Sequence, residues 1–255
     1  MFLNHKSLSA LAIAAGLFAG QAMADDHAPH WTYEGHGGPA EWGRLSHDFE
    51  ACEVGKDQSP IDIKNAIPAK LSTIKVNYQP QALAVLNNGH TLQVNAKPGN
   101  TIEFEGETYD LLQYHFHIPS EHAVNGKKAP MEVHLVHKGQ TSGKLTVLGV
   151  MMVPGAASSL VQSVWDAAPA EAGPVKDIAD VSLNPASLLP AGRDYFRYEG
   201  SLTTPPCSEI VHWVTFKQPI TVSQAQIDAF GKLFSNNARP LQPGNRRFIL
   251  ESEPK

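Results

Sequence analysis

The sequence predicts a mainly β fold: one domain on a large, mostly antiparallel sheet. Short segments alternating apolar and polar residues outnumber helical patterns. Turn punctuation falls between them at Asn88-Gly89, Pro98-Gly99, Asn125-Gly126 and Pro243-Gly244. The strand–helix alternation that marks a parallel sheet is nearly absent. No linker, repeat or low-complexity run divides the chain.

The elements follow in chain order. Lys6 precedes an apolar stretch over residues 8–19 that is too short to span a bilayer as a helix. Ala22-Met23-Ala24 then offers a small-x-small cleavage site, so residues 1–24 read as a signal peptide and 25–255 as the mature domain. A retained membrane anchor is the alternative. Period-two alternation predicts strands at 73–78, 82–86, 91–94, 101–104, 110–118, 131–136, 145–153 and 210–216. Two segments carry helical spacing instead, 157–167 and 223–234. Ser223 serves the second as N-cap, with Gln226 at N3.

Removing Lys6 with the signal peptide takes the net charge from −5 to −6, because the segment contains no acid. A mildly acidic chain argues against a nucleic-acid partner, which requires basic patches. The residues that point to chemistry lie in two adjacent strands. His115 and His117 share one strand face, and a neighbouring strand could bring His134 onto it. Three imidazoles with a fourth position open describe a catalytic zinc (Zn2+) site, whereas structural zinc is usually closed by four protein ligands. An isolated His-x-His pair is weak evidence, since core and surface histidines are common. Gln113 and Glu132, each two residues before a histidine, strengthen it. Unpaired in an apolar strand, either would cost about 1–3 kcal/mol, yet each suits the role of acceptor for a ligand's second N–H.

Beyond these strands the sequence resembles an α-class carbonic anhydrase of bacterial, exported type. The resemblance runs from about Trp31 to Arg247 and rests on Trp31-x-Tyr33, Gly38-Pro39-x-x-Trp42, Gln58-Ser-Pro-Ile-Asp-Ile63 and Leu86-Asn-Asn-Gly-His90. It continues through Gln113-Tyr-His-Phe-His117, Ser120-Glu121-His122, Glu132-Val-His-Leu-Val-His137, Gly200-Ser-Leu-Thr-Thr-Pro-Pro206 and Asn245-Arg246. It implies a central twisted sheet of about ten strands, a metal at the bottom of a conical cleft, and reversible hydration of CO2 to bicarbonate.

Carried over residue by residue, it implies zinc on His115, His117 and His134, with Gln113 and Glu132 behind them. Thr203 would orient the attacking hydroxide and donate its own proton to Glu121. Val136, Val147, Leu202 and Trp213 would form the apolar wall for CO2, with Thr204 helping to hold bicarbonate. Val136 shares a face with His134 on periodicity alone. His90 occupies the proton-shuttle position, where an unperturbed imidazole pKa of about 6.5 suits exchange near neutrality. Tyr33, Asn88 and Gln93 would order the water chain. His122 and His137 read as structural, and His27, His30 and His36 carry no motif beyond their number.

The only cysteines, Cys52 and Cys207, are implied to pair in a disulfide, as suits an exported chain. Cis bonds are implied at Ser59-Pro60 and Pro205-Pro206. Two departures stand out: Thr32 replaces a common glycine, and Ile118-Pro119 replaces a longer aromatic loop. The expected location is the periplasm, with secretion the alternative, and a homodimer is possible by family analogy. Two other functions stay open, a catalytically silent binding domain and a zinc hydrolase. The first usually loses a ligand histidine, and the second lacks a peptidase-like general base here.

Overall fold

The computed structural model describes residues 29–253. The expected signal peptide and His27 lie outside the described residues. Within them runs a 13-stranded sheet, ten of whose strands form one hydrogen-bonded path. In spatial order these are Lys176–Leu183, Gln81–Asn87, Leu92–Asn95, Glu107–His117, Met131–Gly139, Leu145–Pro154, Val211–Phe216, Tyr195–Gly200, Leu250–Ser252 and Ile67–Ala69. Lys75–Asn77, Thr101–Phe104 and Ile220–Val222 pair off that path. Pairing is mostly antiparallel. The exceptions are Leu145–Pro154 beside Val211–Phe216 and Ile220–Val222, and Leu250–Ser252 beside Ile67–Ala69. A separate three-stranded sheet includes the hairpin of Ala123–Val124 and Lys127–Lys128. Its two-residue turn, Asn125-Gly126, has positive φ at both positions, as a primed turn requires.

Alternation sorts the middle of the sheet into two faces. Tyr114, Phe116, Val133, Leu135, Leu148 and Val150 point into the main apolar core. Burying each such aliphatic or aromatic side chain contributes about 1.5–3 kcal/mol. Two helices cover that core, Ser159–Ala167 through Leu160, Val161 and Val164, and Gln224–Leu233 through Ile227 and Phe230. Ser158 caps the first, which therefore starts later than periodicity suggests. Ser223 and Gln226 close a reciprocal capping box on the second. The opposite face carries polar residues and a smaller apolar cluster that includes Ile61, Val136, Val147 and Trp213.

One irregularity preserves this division. Val136 pairs with Gln113 but His137 pairs with Leu111, which leaves Leu112 as an extra residue in a bulge. Leu112 is 43% exposed and Leu111 is buried in the core, the reverse of uninterrupted alternation from Tyr114.

Several strands differ from the sequence reading. Segment 73–78 contracts to Lys75–Asn77, and 131–136 extends to Gly139. Lys176–Leu183 and Tyr195–Gly200 were not anticipated. The former is the sheet's outer strand and is exposed along most of its length, so it has no apolar alternation to read.

Candidate metal centre

Three adjacent strands assemble the site by register. His115 lies opposite His134, which lies opposite Gly149 on the next strand. One step along the same face, Gln113 pairs with Val136, Val136 with Val147, and Val147 with Trp213. One step the other way, His117 pairs with Glu132. Period-two alternation therefore puts three histidines, two polar neighbours and an apolar patch on one surface.

Each histidine has one ring nitrogen anchored. His115 Nδ1–H donates to Gln113 Oε1 at 2.8 Å, and His117 Nδ1–H donates to the Asn237 carbonyl at 2.7 Å. His134 Nε2–H donates to Glu132 Oε1 at 2.9 Å. These bonds fix the tautomers and leave Nε2, Nε2 and Nδ1 with lone pairs free. Donor atoms of the three histidines all lie within 4.8 Å of one another.

Burial holds the rings in the neutral form that a metal requires. It pushes His115 well below the usual imidazole range, His117 down to about 4, and His134 down in spite of the opposing Glu132 charge. Burial alone would raise the Glu132 carboxyl, but His122 and His134 outweigh it and hold the carboxyl well below its ordinary value.

The residues fit a metal on evidence of their own. Among the described residues, His117 Nε2 is buried without a hydrogen-bond partner, a state that costs about 1–3 kcal/mol unless something binds it. The donor set is three imidazoles, which suits zinc or a neighbouring transition metal. A second group, His122, Glu132 and His134, is as compact. Its atoms already satisfy one another: His122 Nδ1 lies 2.8 Å from Glu132 Oε1, and His122 Nε2 lies 2.6 Å from Tyr198 Oη. That cluster is a hydrogen-bond network behind His134.

Glu121 sits beside the donors, fully buried. Its Oε1 accepts the Arg239 backbone N–H at 2.9 Å, while Oε2 has no partner and lies 3.6 Å from His117 Nε2. Burial raises its pKa on balance, against the opposing pull of His134 and the Thr203 hydroxyl. Thr203 is therefore a near neighbour, though no well-aligned hydrogen bond joins the two groups. On the other flank Val136, Val147 and Trp213, with Leu202 against them, make an apolar wall. The Trp213 ring centroid is 4.8 Å from that of His134.

The wet side is equally local. Tyr33, Asn88, His90, Gln93 and Thr204 line a cavity of about 110 Å³ together with Gln113, His115 and His117. Asn88 Nδ2 approaches Gln93 Oε1 at 3.4 Å. A cavity of about 800 Å³ elsewhere, lined by Arg197, Arg247 and Phe248, contains none of these groups. Two of its three arginines are already paired, Arg197 with Glu105 and Glu199, and Arg247 with Asp57. Size is a poor guide when the converging donors lie elsewhere.

The loop carrying Thr203 and Thr204 is tied down from behind. Cys207 forms a disulfide with Cys52, and the Cys207 N–H donates to the Thr204 carbonyl at 2.9 Å. Ser59-Pro60 and Pro205-Pro206 are cis, and so is Ile118-Pro119, which the sequence reading passed over. Thr32 fits its turn without glycine, its hydroxyl donating to the Glu34 carbonyl at 2.6 Å.

Sequence reasoning missed two participants. Asn237 accepts from His117 through its backbone carbonyl, while its side chain donates to the His90 carbonyl at 3.0 Å and accepts from the Ile118 N–H at 2.7 Å. Arg239, buried, donates to Gln58 Oε1, the Ser59 carbonyl and the Cys52 carbonyl, and its burial lowers its pKa to about 10. An arginine and an amide in a Pro-containing loop carry no periodic signal, so only their unusual burial exposes them.

Comparison with known proteins adds an independent line. The profile of a family described as eukaryotic-type carbonic anhydrase matches residues 37–253. A carbonic anhydrase of Nostoc sp. is 44% identical over 228 residues, which is 88% of this chain and 86% of that protein. One from Pectobacterium carotovorum is 44% identical over 223 residues, 87% of this chain and 90% of that protein. Among solved structures, the α-carbonic anhydrase of Thermovibrio ammonificans, in complex with the inhibitor sulfanilamide, matches with a TM-score of 0.84 at 44% identity. That match covers 87% of this chain and 99% of the other.

Proposed function

The chain belongs to the eukaryotic-type carbonic anhydrase family and is an enzyme of it, and from that premise we propose zinc-dependent, reversible hydration of CO2 to bicarbonate and a proton. His115 Nε2, His117 Nε2 and His134 Nδ1 would hold the zinc. When bound, the zinc would act as a Lewis acid that lowers the pKa of water to about 7, a magnitude taken from carbonic anhydrase itself, the standard example of the effect. Three neutral ligands suit that chemistry, because they leave the cation's charge undiminished.

The chain's own residues do the rest. Gln113, the Asn237 carbonyl and Glu132 hold the three ring tautomers. Glu121 and Thr203 orient the oxygen nucleophile: the carboxylate would accept a hydrogen bond from the Thr203 hydroxyl, which leaves the hydroxyl oxygen's lone pairs as the acceptor for the nucleophile. CO2 offers almost nothing to hydrogen-bond, so it rests against Val136, Val147, Leu202 and Trp213, where water is displaced at little cost. Thr204 helps hold the bicarbonate that forms. His90 carries the proton outward along polar groups that include Tyr33, Asn88 and Gln93. Burial depresses the His90 pKa, which favours prompt release of a proton once taken.

The observation that carries this reading is the convergence of three imidazoles, two buried and His115 half-buried, each with one ring nitrogen anchored and, among the described residues, the His117 Nε2 unpartnered. The disulfide supports an oxidising compartment, and with the N-terminal leader pattern we place the mature 25–255 domain in the periplasm. Replacing His90 with Ala tests the proton path. The kcat should fall much more than kcat/KM, because proton release follows CO2 capture, and concentrated imidazole buffer should restore most of the loss. Equal loss in both parameters, without rescue, would return His90 to a structural role.

A further inference from the structure

The cavity of about 800 Å³ that lies apart from the metal centre has a chemistry of its own. Four cations and two carboxylates line it, a local excess of positive charge in a chain whose net charge is −5. Pairing leaves that excess on two side chains. Arg197 is matched by Glu105 and Glu199, and Arg247 by Asp57. Lys56 and Arg246 are exposed, and among the described residues neither side chain has an ion-pair or hydrogen-bond partner. Leu250 and Phe248 stand in the same lining. Phe248 is 74% exposed, more than any other large hydrophobic residue described. A lone exposed aromatic residue is ordinary. An exposed aromatic residue and two unpaired cations around one cavity is a combination with a chemical direction.

The walls are formed in advance. Leu250 pairs through its backbone with Arg197 on one side and Ile67 on the other. Arg247 is pinned by donating to the carbonyls of Gln58, Pro243 and Glu199, with its guanidinium 5.5 Å from the Tyr198 ring centroid. The Asn245 side chain donates to the Lys56 carbonyl at 2.5 Å, which ties together the two segments that carry the free cations.

We propose that this cavity binds a small organic anion with an apolar body, a medium-chain alkyl or aryl carboxylate. The free cations select the head: the Arg246 guanidinium offers paired N–H donors that match a carboxylate, and Lys56 adds a point charge. Phe248 and Leu250 select the body, because an apolar tail laid against them removes both surfaces from water. A metal cation is disfavoured, since both lining carboxylates already face arginines. An inorganic anion would satisfy the charges and leave Phe248 bare. The volume falls within the roughly 300–1,000 Å³ of small-molecule sites.

The test is calorimetric titration of the zinc-loaded protein, with sulfanilamide present to keep carboxylates off the metal. The probes are butyrate, hexanoate, octanoate, octanol and octylamine. Octanoate should saturate at one per chain, and affinity should rise along the acid series by up to about fourfold per methylene. Octanol and octylamine, which lack the anionic head, should bind at least tenfold more weakly than octanoate. Arg246→Gln and Lys56→Gln should each weaken octanoate about tenfold. Phe248→Ser should weaken octanoate as much while changing butyrate little. All three side chains are exposed, so melting temperature and CO2 hydration should stay as in the parent protein. Absence of saturable octanoate binding, equal binding of octanol, or octanoate affinity unchanged in either Arg246→Gln or Phe248→Ser would each overturn the proposal.

Discussion

At the scale of single residues, His134 bears the most, because it joins the donor set on one side and the Glu132–His122–Tyr198 network on the other. His134→Ala should abolish zinc binding and nearly all CO2 hydration, checked by metal analysis alongside the assay. Substantial hydration by a zinc-free variant would contradict the ligand assignment. Gln113→Ala or Glu132→Gln should weaken zinc affinity or activity only ~10–100-fold, since each acts through a ligand rather than as one. A different buried histidine gives a pH prediction. His137 donates through Nδ1 to the Thr146 carbonyl at 3.2 Å and accepts the Tyr78 hydroxyl proton at Nε2, 2.6 Å away. Burial takes its pKa from 6.5 to about 4. Between those values the unfolded chain binds more protons than the folded one, so stability present above pH 6.5 is lost as pH falls toward 4. The loss is worth roughly 3 kcal/mol. Urea denaturation at pH 7.5 and 4.5 should show that loss, and His137→Gln should reduce the dependence by about one proton; an unchanged slope would contradict it. The candidate ligands were legible in the sequence because a ligand histidine is written as a side chain at strand spacing. The Asn237 carbonyl was not, because every residue carries one.

At the scale of elements, the centre depends on strand register, and Gly149 is where register and space meet. It lies opposite His134, and a Cβ there would come within 3.0 Å of Glu132 Oε1. Gly149→Ala should therefore displace the carboxylate and cost ~10-fold in zinc affinity, while the melting temperature of the metal-free protein stays nearly the same. Chelator competition and a thermal melt separate the two effects, and unchanged affinity would show that Glu132 tolerates the crowding. Elements with strong local signals were legible: Thr101–Phe104 and the histidine strands by alternation, and Gln224–Leu233 by its Ser223 cap. Lys176–Leu183, Leu250–Ser252 and Ile67–Ala69 were hidden, since they are held by backbone pairing near the sheet's outer parts rather than by an apolar face. The bulge at Leu112 was hidden as well, since it exists only relative to the partner strand.

At the scale of the molecule, the Cys52–Cys207 bridge closes a sequence separation of 155 residues and anchors the loop that presents Thr203 and Thr204. Loop-closure entropy sets its contribution at about 5 kcal/mol, although Gln58 and Arg239 also bond the two cysteine carbonyls and would keep part of the geometry without it. The Cys52→Ser/Cys207→Ser variant should lose several kcal/mol in chemical denaturation and lower kcat/KM by loosening the Thr203 loop; wild-type stability would contradict the first expectation. The sheet, the converging donor set and the tethered loop meet at one claim, that three imidazoles hold a zinc on which CO2 hydration depends. The most direct measurement is stopped-flow CO2 hydration by the purified protein as isolated, after exhaustive chelation, and after zinc is returned. Rapid hydration that vanishes on chelation and returns at one zinc per chain is the expected result. Hydration that survives complete zinc removal, or no hydration from a fully zinc-loaded protein, would contradict it.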